Sequence, residues 1–385
     1  MIYLDAHATT PVDPRVLDAM LPLLRDQVGN ASSLDHAAGR RTRDAVDVAR
    51  RQVAAVINAS HKDIVFTSGA TEADNLAIKG VAESASDHGD HVVTVATEHR
   101  AVLDTCRHLE ARGCRVTVLP VDADGLIDLA ALEAALEPKT ILVSVMAANN
   151  EIGVLQPLAE IAAIVHERGA LLHSDAAQAV GKVPIDVAAL GVDLLSLTAH
   201  KCYGPKGTGA LYVRRQRPKV PIECQIDGGG HENGLRSGTL NVPGIVGLGA
   251  CAEIAGRLLV DESARLSALR DRLLAGLQAG LNEVRVNGSR QRRLPHNLHV
   301  SFAGIEGEAL LMALGDLAVS TGSACSSGSQ APSHVLQAIG AVGERAGASI
   351  RFGLGRWTTD ADVDFAIDRV TTVVRSLRQR QTVGR

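Results

Sequence analysis

The sequence predicts an α/β fold, a mainly parallel sheet wrapped by helices and followed by a smaller α+β unit. Between residues 60 and 215, short β-branched apolar runs alternate with longer helical patterns, the rhythm of strand–helix–strand repeats. After Asp261 the texture changes to a long amphipathic stretch, a short strand-like run and a final helix. The chain has 385 residues, about two to three times the size of one compact unit, which gives room for both.

Taken in order, the apolar runs predict strands over Asp63–Thr67, His91–Ala96, Arg115–Leu119, Ile141–Met146, Ala170–Ser174 and Asp193–Leu197. Helices fall between them. Thr71–Ser84 carries an apolar stripe of Ala73, Leu76, Ala77 and Gly80, and Ala101–Arg112 and Leu129–Leu136 follow. Leu158–Arg168 ends at Gly169, a C-cap residue. Beyond the change of texture come a helix over Glu262–Leu281, a strand over His299–Phe302 and a helix over Ala361–Arg378, with the N-terminal arm joining this second unit. Gly228–Gly230 and Ser320–Ser329 interrupt the periodic structure and read as loops, where function tends to sit on a rigid scaffold.

Composition narrows the function. With 46% apolar residues and a formal charge of −4, the chain is an ordinary globule with no general attraction for nucleic acid or anionic lipid. Four Phe, three Tyr and one Trp are too few for base-stacking platforms. The start, Met1-Ile2-Tyr3-Leu4-Asp5, lacks a basic stretch followed by an apolar one, and no run of about 18 apolar residues appears. The cysteines at 106, 114, 202, 224, 251 and 325 include no Cys-x-x-Cys pair, so reduced thiols in a cytoplasmic protein without an intrinsic metal site are the expectation.

The chemistry concentrates in Ala170-Leu-Leu-His-Ser-Asp-Ala-Ala-Gln178 and Leu194-Leu-Ser-Leu-Thr-Ala-His-Lys201. Two apolar strands each end in polar groups, and in open α/β sheets ligands bind beyond the strands' carboxyl ends. Asp175, Gln178, Thr198, His200 and Lys201 therefore converge on one crevice. A lysine partly desolvated there has a lowered pKa and an amine free to form an imine with an aldehyde. A carboxylate one strand earlier is what the pyridine nitrogen of pyridoxal phosphate (PLP) requires. The bland alternative is a solvated loop lysine and a turn aspartate, and spacing alone leaves a phosphate or nucleotide site open.

Thr67-Ser-Gly-Ala-Thr-Glu72 lies between a strand and a helix, so free N–H groups and the hydroxyls of Ser68 and Thr71 face one point suited to an anion. A plain capping box explains this segment equally well. Gly204-Pro-Lys-Gly-Thr-Gly209 has no dinucleotide spacing and reads as a structural turn. His99, at a helix start, can stack on a planar cofactor or serve as a cap. Asn149-Asn150-Glu151 either orients a ring substituent or closes a turn. In Ser320-Thr-Gly-Ser-Ala-Cys325-Ser-Ser-Gly-Ser329 the thiol is ringed by Gly and Ser, and at a pKa of about 8.5 it offers some thiolate at neutral pH. The other five cysteines read as inert and buried.

These residues resemble the NifS/IscS-like cysteine desulfurases of group I, PLP enzymes of aminotransferase fold type I in the class-V aminotransferase superfamily. The likeness covers nearly the whole chain. It runs through Tyr3-Leu-Asp, Ala8-Thr-Thr-Pro, Phe66-Thr-Ser-Gly-Ala-Thr-Glu72, Thr97-Glu-His99, Asn149-Asn-Glu-Ile-Gly153 and Asp175-Ala-Ala-Gln178. It continues in His200-Lys201-Cys-Tyr-Gly-Pro-Lys-Gly207, Gly228-Gly-Gly-His231, Arg236-Ser-Gly-Thr239 and Ser323-Ala-Cys325.

The resemblance implies a seven-stranded, mostly parallel sheet in a large PLP domain over 16–256. An N-terminal arm, 1–15, would join a small domain over 257–385 that carries the Cys325 loop. Lys201 would carry PLP covalently, Asp175 would pair with the pyridine nitrogen, Gln178 would bond the ring oxygen and His99 would stack on the ring. Ala70, Thr71, Thr198 and His200 would surround the phosphate, with Thr239 reaching in from the other subunit of a homodimer. Asn150 and Arg351 would hold L-cysteine, and Cys325 would take its sulfur as a persulfide, leaving L-alanine.

The same likeness implies delivery to a sulfur-acceptor protein, either an iron–sulfur scaffold or a tRNA- or DNA-thiolation relay, with Cys325 at most a transient cluster ligand. The end of the chain at Arg385, short of the extension that housekeeping members use to dock a scaffold, leaves that acceptor open. The competing readings are a selenocysteine lyase or aminotransferase of the same fold, and a sulfur-relay subunit active only with a partner. Four positions depart from the family pattern: Ala6-His7, Asn30-Ala31, Thr198 and Gly353.

Overall fold

A computed structural model describes residues 1–85, 87–216, 218–321 and 333–383. The chain opens with β1 (Ile2–Tyr3), α1 (Pro14–Arg25) and α2 (Ala37–Val56), then enters the large sheet at β2 (Ile64–Thr67). Alternation follows: α3 (Ala70–Ser84), β3 (His91–Val95), α4 (Arg100–Glu110), β4 (Arg115–Leu119), α5 (Leu129–Ala135), β5 (Thr140–Ser144), α6 (Leu158–Glu167), β6 (Leu171–Asp175), α7 (Val187–Leu190), β7 (Leu194–Thr198) and β8 (Gly209–Val213). These strands form one seven-stranded sheet in the order β2-β8-β7-β6-β5-β3-β4. Strand β8 runs antiparallel to both neighbours, and the β7-β6-β5-β3-β4 stretch is parallel throughout. The sheet is thus mostly parallel and seven-stranded.

The central strands read as continuous apolar runs because both of their faces are covered. Val93, Val143, Leu172 and Leu195 pack into a core with α2 and α6. Their chain neighbours Val92, Leu142 and Leu194 join a second core with α3 and α4 on the opposite face. Chain order reverses around β3, which pairs with β4 on one side and β5 on the other. A crevice opens at such a switch point.

A third core is separate. It gathers Leu266, Leu269, Leu273 and Leu277 of α8 (Val242–Gly280) with Val363, Ala366, Val370 and Val374 of α12 (Asp360–Val383). Both sets recur at helical spacing. They cover a three-stranded antiparallel sheet of β9 (Val284–Val286), β10 (Asn297–Phe302) and β12 (Ser349–Gly353). Leu4 of the N-terminal arm belongs to this core, and β1 pairs in parallel with β11 (Leu317–Ala318). Short helices α9 (Gly307–Ala313), α10 (His334–Ala338) and α11 (Glu344–Gly347) complete the unit.

One expectation is corrected. The helix expected over Glu262–Leu281 begins at Val242 and runs 39 residues, spanning both units. Glycines in its first half look like breakers, yet Gly244, Gly247 and Gly249 sit where a neighbour comes close. A Cβ on Gly249 would lie 2.6 Å from Ala49 Cα, and one on Gly247 would lie 2.6 Å from Met20 Sδ. This helix is long and apolar enough to cross a membrane, but 56% of its most apolar window is buried within the protein, as for a core helix. Gly204–Gly209 is the expected turn, and it leads into β8, whose Gly209 backbone packs on the turn before α3.

Candidate active site

The carboxyl ends of β3, β5, β6 and β7 and the start of α3 enclose a cavity of about 550 Å³. Its lining brings together Ala70, Thr71, His99, Asn150, Asp175, Gln178, Thr198, His200 and Lys201. Lys206 and Gly207 join them, so the Gly204–Gly209 turn contributes to the site. A wider cavity of about 860 Å³ lies between α2 and the Gly229–Glu232 loop, away from these strand ends.

Asp175 is the last residue of β6, buried, with Oδ1 accepting the Ala177 N–H at 2.8 Å. Lys201 follows β7 on a turn that the N-terminal arm clamps. The His200 carbonyl accepts from Thr10 N and Thr10 Oγ1 at 2.8 and 2.9 Å, and Thr10 Oγ1 also accepts the Tyr203 N–H at 2.8 Å. Tyr203 has φ +63°, a left-handed conformation that this bonding holds in place. Burial, with Lys201 and Lys206 nearby, brings the His200 imidazole down to about 4, so it is neutral at pH 7.

His99 is the N-cap of α4, its Nδ1 accepting the Ala101 N–H at 3.1 Å. Nδ1 is thus an acceptor, and a neutral ring carries its proton on Nε2. Burial lowers its pKa, against the opposing pull of Asp175. Capping and lining the cavity are compatible roles. At the α3 start the N-cap is Gly69, which has no side-chain cap. Glu72 accepts the Ser68 N–H at 2.9 Å and is itself paired with Arg236 at 2.8 Å. The helix therefore recruits neither the Ser68 nor the Thr71 hydroxyl as its cap, and the first-turn N–H groups face the cavity without a side-chain partner.

Asn149 and Asn150 divide the two tasks expected of that turn. Asn149 Oδ1 accepts from Glu151 N and Ile152 N at 2.8 Å each and its amide donates to the Thr97 carbonyl, closing the turn, while Asn150 lines the cavity. Behind Asn150 stands Arg351 on β12, buried. Its Nη1 donates to the Asn150 carbonyl at 2.8 Å and its Nη2 pairs with Asp5 Oδ1 at 2.7 Å, leaving Nε buried without a partner. Thr239 is exposed and does not line this cavity in its own chain. Cys325 lies outside the described residues.

Three buried groups escaped the sequence reading. Asp74 on α3 is fully buried with both oxygens unpartnered, 3.6 Å from His173, and burial reinforced by Asp175 raises its pKa. Glu98 is buried beside His99 and also raised, chiefly by burial. His173, bonded to Ser144 and Ser196, is lowered to about 3 by burial. The available signal was an acid at helical spacing with Ile78 and Val81. Two of the cysteines expected to be buried, Cys114 and Cys224, are partly exposed, on an edge strand's approach and a surface loop. Cys106, Cys202 and Cys251 are buried as expected, with the Cys202 thiol donating to the Cys251 carbonyl and the Cys251 thiol to the Leu248 carbonyl.

PLP fits this donor set. Lys201 would take the aldehyde, Asp175 the pyridine nitrogen, Gln178 the ring oxygen, and the uncapped α3 start the phosphate. Gly209 lets the β8 backbone close on the phosphate end, since a Cβ there would lie 2.6 Å from Gly69 Cα.

The aminotransferase class-V family model matches residues 2–365. The chain is 56% identical, across 98% of its length and 93% of the relative's, to the cysteine desulfurase IscS of Anaeromyxobacter dehalogenans (strain 2CP-C). It is 55% identical, with the same coverage, to that of Methylococcus capsulatus (strain ATCC 33009 / NCIMB 11132 / Bath). Among solved structures, a NifS-like protein superposes with a TM-score of 0.91 at 38% identity, covering 98% of this chain and 100% of that one. DndA from Streptomyces lividans superposes at 0.78 with 40% identity, covering 91% and 99%. The chain therefore belongs to the class-V aminotransferase family, in its branch of IscS- and NifS-like cysteine desulfurases, whose members depend on pyridoxal phosphate.

Proposed function

We propose that this chain is a PLP-dependent cysteine desulfurase that converts L-cysteine to L-alanine and takes the released sulfur onto Cys325. The observation that carries the reading is the convergence of Lys201, Asp175, Gln178, His99 and the uncapped α3 start on one cavity. When bound there, PLP supplies an electron sink for the substrate's α-carbon. Asp175 holds the proton on the pyridine nitrogen, and Gln178 donates to the ring oxygen. Thr71, Thr198, His200 and the N–H of Ala70 hold the phosphate, and Thr239 of a second copy completes that cup in a homodimer.

Arg351 grips the substrate carboxylate with its planar fork, aimed by Asp5 and backed by the Asn150 carbonyl. Lys201 moves the proton at the α-carbon, and His99 Nε2 stands ready to hold one. The Cys325 thiolate attacks the substrate sulfur, so the carbon–sulfur bond breaks as the new sulfur–sulfur bond forms. The persulfide then passes to an acceptor protein. The division into 1–15, 16–256 and 257–385 is supported by the separate core that takes in Leu4, α12 and the second half of α8.

Incubation with L-cysteine followed by peptide mass mapping tests the reading. One added sulfur on the Cys325 peptide and stoichiometric alanine are expected. Multiple turnovers surviving in Cys325→Ala would contradict the thiol's role, and selenocysteine cleaved in strong preference to cysteine would favour a lyase.

A further inference from the structure

We propose that His7 is a positioning residue, the central link of a directional hydrogen-bond relay. The relay runs from Arg293 through Asn297 and His7 to Gln178 and presents the Gln178 amide nitrogen to the cavity as a fixed donor. This rests on the reading that Gln178 faces the cofactor's ring oxygen. His7 is one of the positions that depart from the family pattern, and it is 1% exposed.

The direction of the relay follows from groups that can play only one role. A guanidinium only donates, so the Asn297 atom 2.6 Å from Arg293 Nη1 is the carbonyl Oδ1. The Asn297 amide nitrogen then donates to the Glu151 carbonyl and to His7 Nε2, each at 3.0 Å. His7 Nε2 is therefore an acceptor and bare. From the other end, a backbone carbonyl only accepts, so the Gln178 atom 3.0 Å from the His7 carbonyl is Nε2. Gln178 Oε1 is then the atom 3.0 Å from His7 Nδ1, which must donate.

Both ends demand the same tautomer, with the proton on Nδ1 and none on Nε2. A doubly protonated ring would set its Nε2–H against the Asn297 amide. The surroundings agree: burial first, then the Arg351 charge, with Lys201 and Lys182 adding, holds the imidazole well below its usual range. His296 stacks on the ring at 4.3 Å and is itself lowered by burial. One Gln178 N–H is spent on the His7 carbonyl, which leaves the other for the cavity that Gln178 lines. Gln178 cannot flip to offer its oxygen without breaking two bonds to His7. The fixed donor thus favours an ionised ring oxygen, which accepts more strongly than a hydroxyl.

Two measurements test this. Nitrogen NMR of labelled protein, with the His7 resonances assigned by their loss in His7→Asn, should show a protonated Nδ1 and a bare Nε2 across the neutral range, with and without PLP. A proton on Nε2, or a charged ring, overturns the relay. The second follows the pH titration of the visible band in PLP-loaded protein. Without the Gln178 donor, more charge stays on the ring oxygen, so the proton it shares with the Lys201 nitrogen is held more tightly. The midpoint should rise by about one pH unit in Gln178→Ala and in His7→Ala or His7→Asn, with no further rise in the double variant. A shift in Gln178→Ala with none in either His7 variant overturns the proposal. No shift even in Gln178→Ala refutes the reading of Gln178 as a cofactor ligand, and the tautomer measurement then decides the relay separately.

Discussion

The Lys201 wall of the cavity and the Arg351 corner, which stands behind the lining residue Asn150 and does not itself line the cavity, are built on different length scales. Asp175, Gln178, Thr198, His200 and Lys201 come from two adjacent parallel strands and the turns that follow them. Arg351 is fixed by Asn150 and Asp5, 201 and 346 residues away along the chain. The sheet brings the first set together and the N-terminal arm only clamps it, through Thr10 on the Lys201 turn and His7 on Gln178, whereas the second exists only when the N-terminal arm, the β5 turn and β12 are assembled together. Cofactor attachment and substrate grip should therefore be separable by mutation.

The largest effect is expected at the wall. Lys201→Ala should abolish the visible cofactor band and lower turnover by roughly 10⁴-fold, since both the attachment point and a proton-transfer group are lost. Absorbance and alanine release check it together, and a variant that keeps the band would dissolve the distinction. At the corner, Arg351→Lys keeps the charge but loses the planar fork, so the KM for cysteine should rise by about 10- to 100-fold while the cofactor band stays unchanged. Loss of the band in that variant would mean that the two regions are not independent.

The corner also contains a pH-sensitive group. Burial raises the Glu151 carboxyl to about 7, and its Oε2 accepts from Ser333 Oγ at 2.5 Å. The unfolded chain releases this proton near 4.5, so between pH 4.5 and 7 the native state binds more protons and loses stability as pH rises. The stability difference between the wild type and Glu151→Gln should accordingly fall across that window, by on the order of 3 kcal/mol, and level off above it. Denaturant titrations at several pH values check this, and a difference that does not vary with pH would refute it. The smallest effect belongs to Thr198→Ser, which keeps the hydroxyl. PLP affinity, followed by apoenzyme titration, should change by less than about twofold, within the scatter of a conservative exchange.

The same contrast governs what the sequence reveals. The strand ends are legible because an apolar run followed at once by Asp175 or by His200-Lys201 is a local signal, and β2 to β7 lie within two residues of their expected places, whereas β8 carried no such expectation. The Arg351 corner, the Asp74–His173 pair and the His7 relay are not local. Each joins segments far apart in the chain, and nothing in the spacing of His7 or Asn297 marks them as neighbours. The start of α8 was hidden for another reason, since its glycines signal a loop but serve close helix packing against α1 and α2. Arg351 and Thr239 enter only through the family resemblance, whereas Cys325 is also marked by its own Ser- and Gly-rich surroundings.

The most direct test of the central claim is borohydride reduction of the PLP-loaded protein followed by peptide mapping. Two lysines, Lys201 and Lys206, line the cavity. The label is expected on Lys201, the residue set by the β7 end and clamped through His200 and Tyr203 to the N-terminal arm. A label on Lys206, or on no lysine of this cavity, would contradict the account.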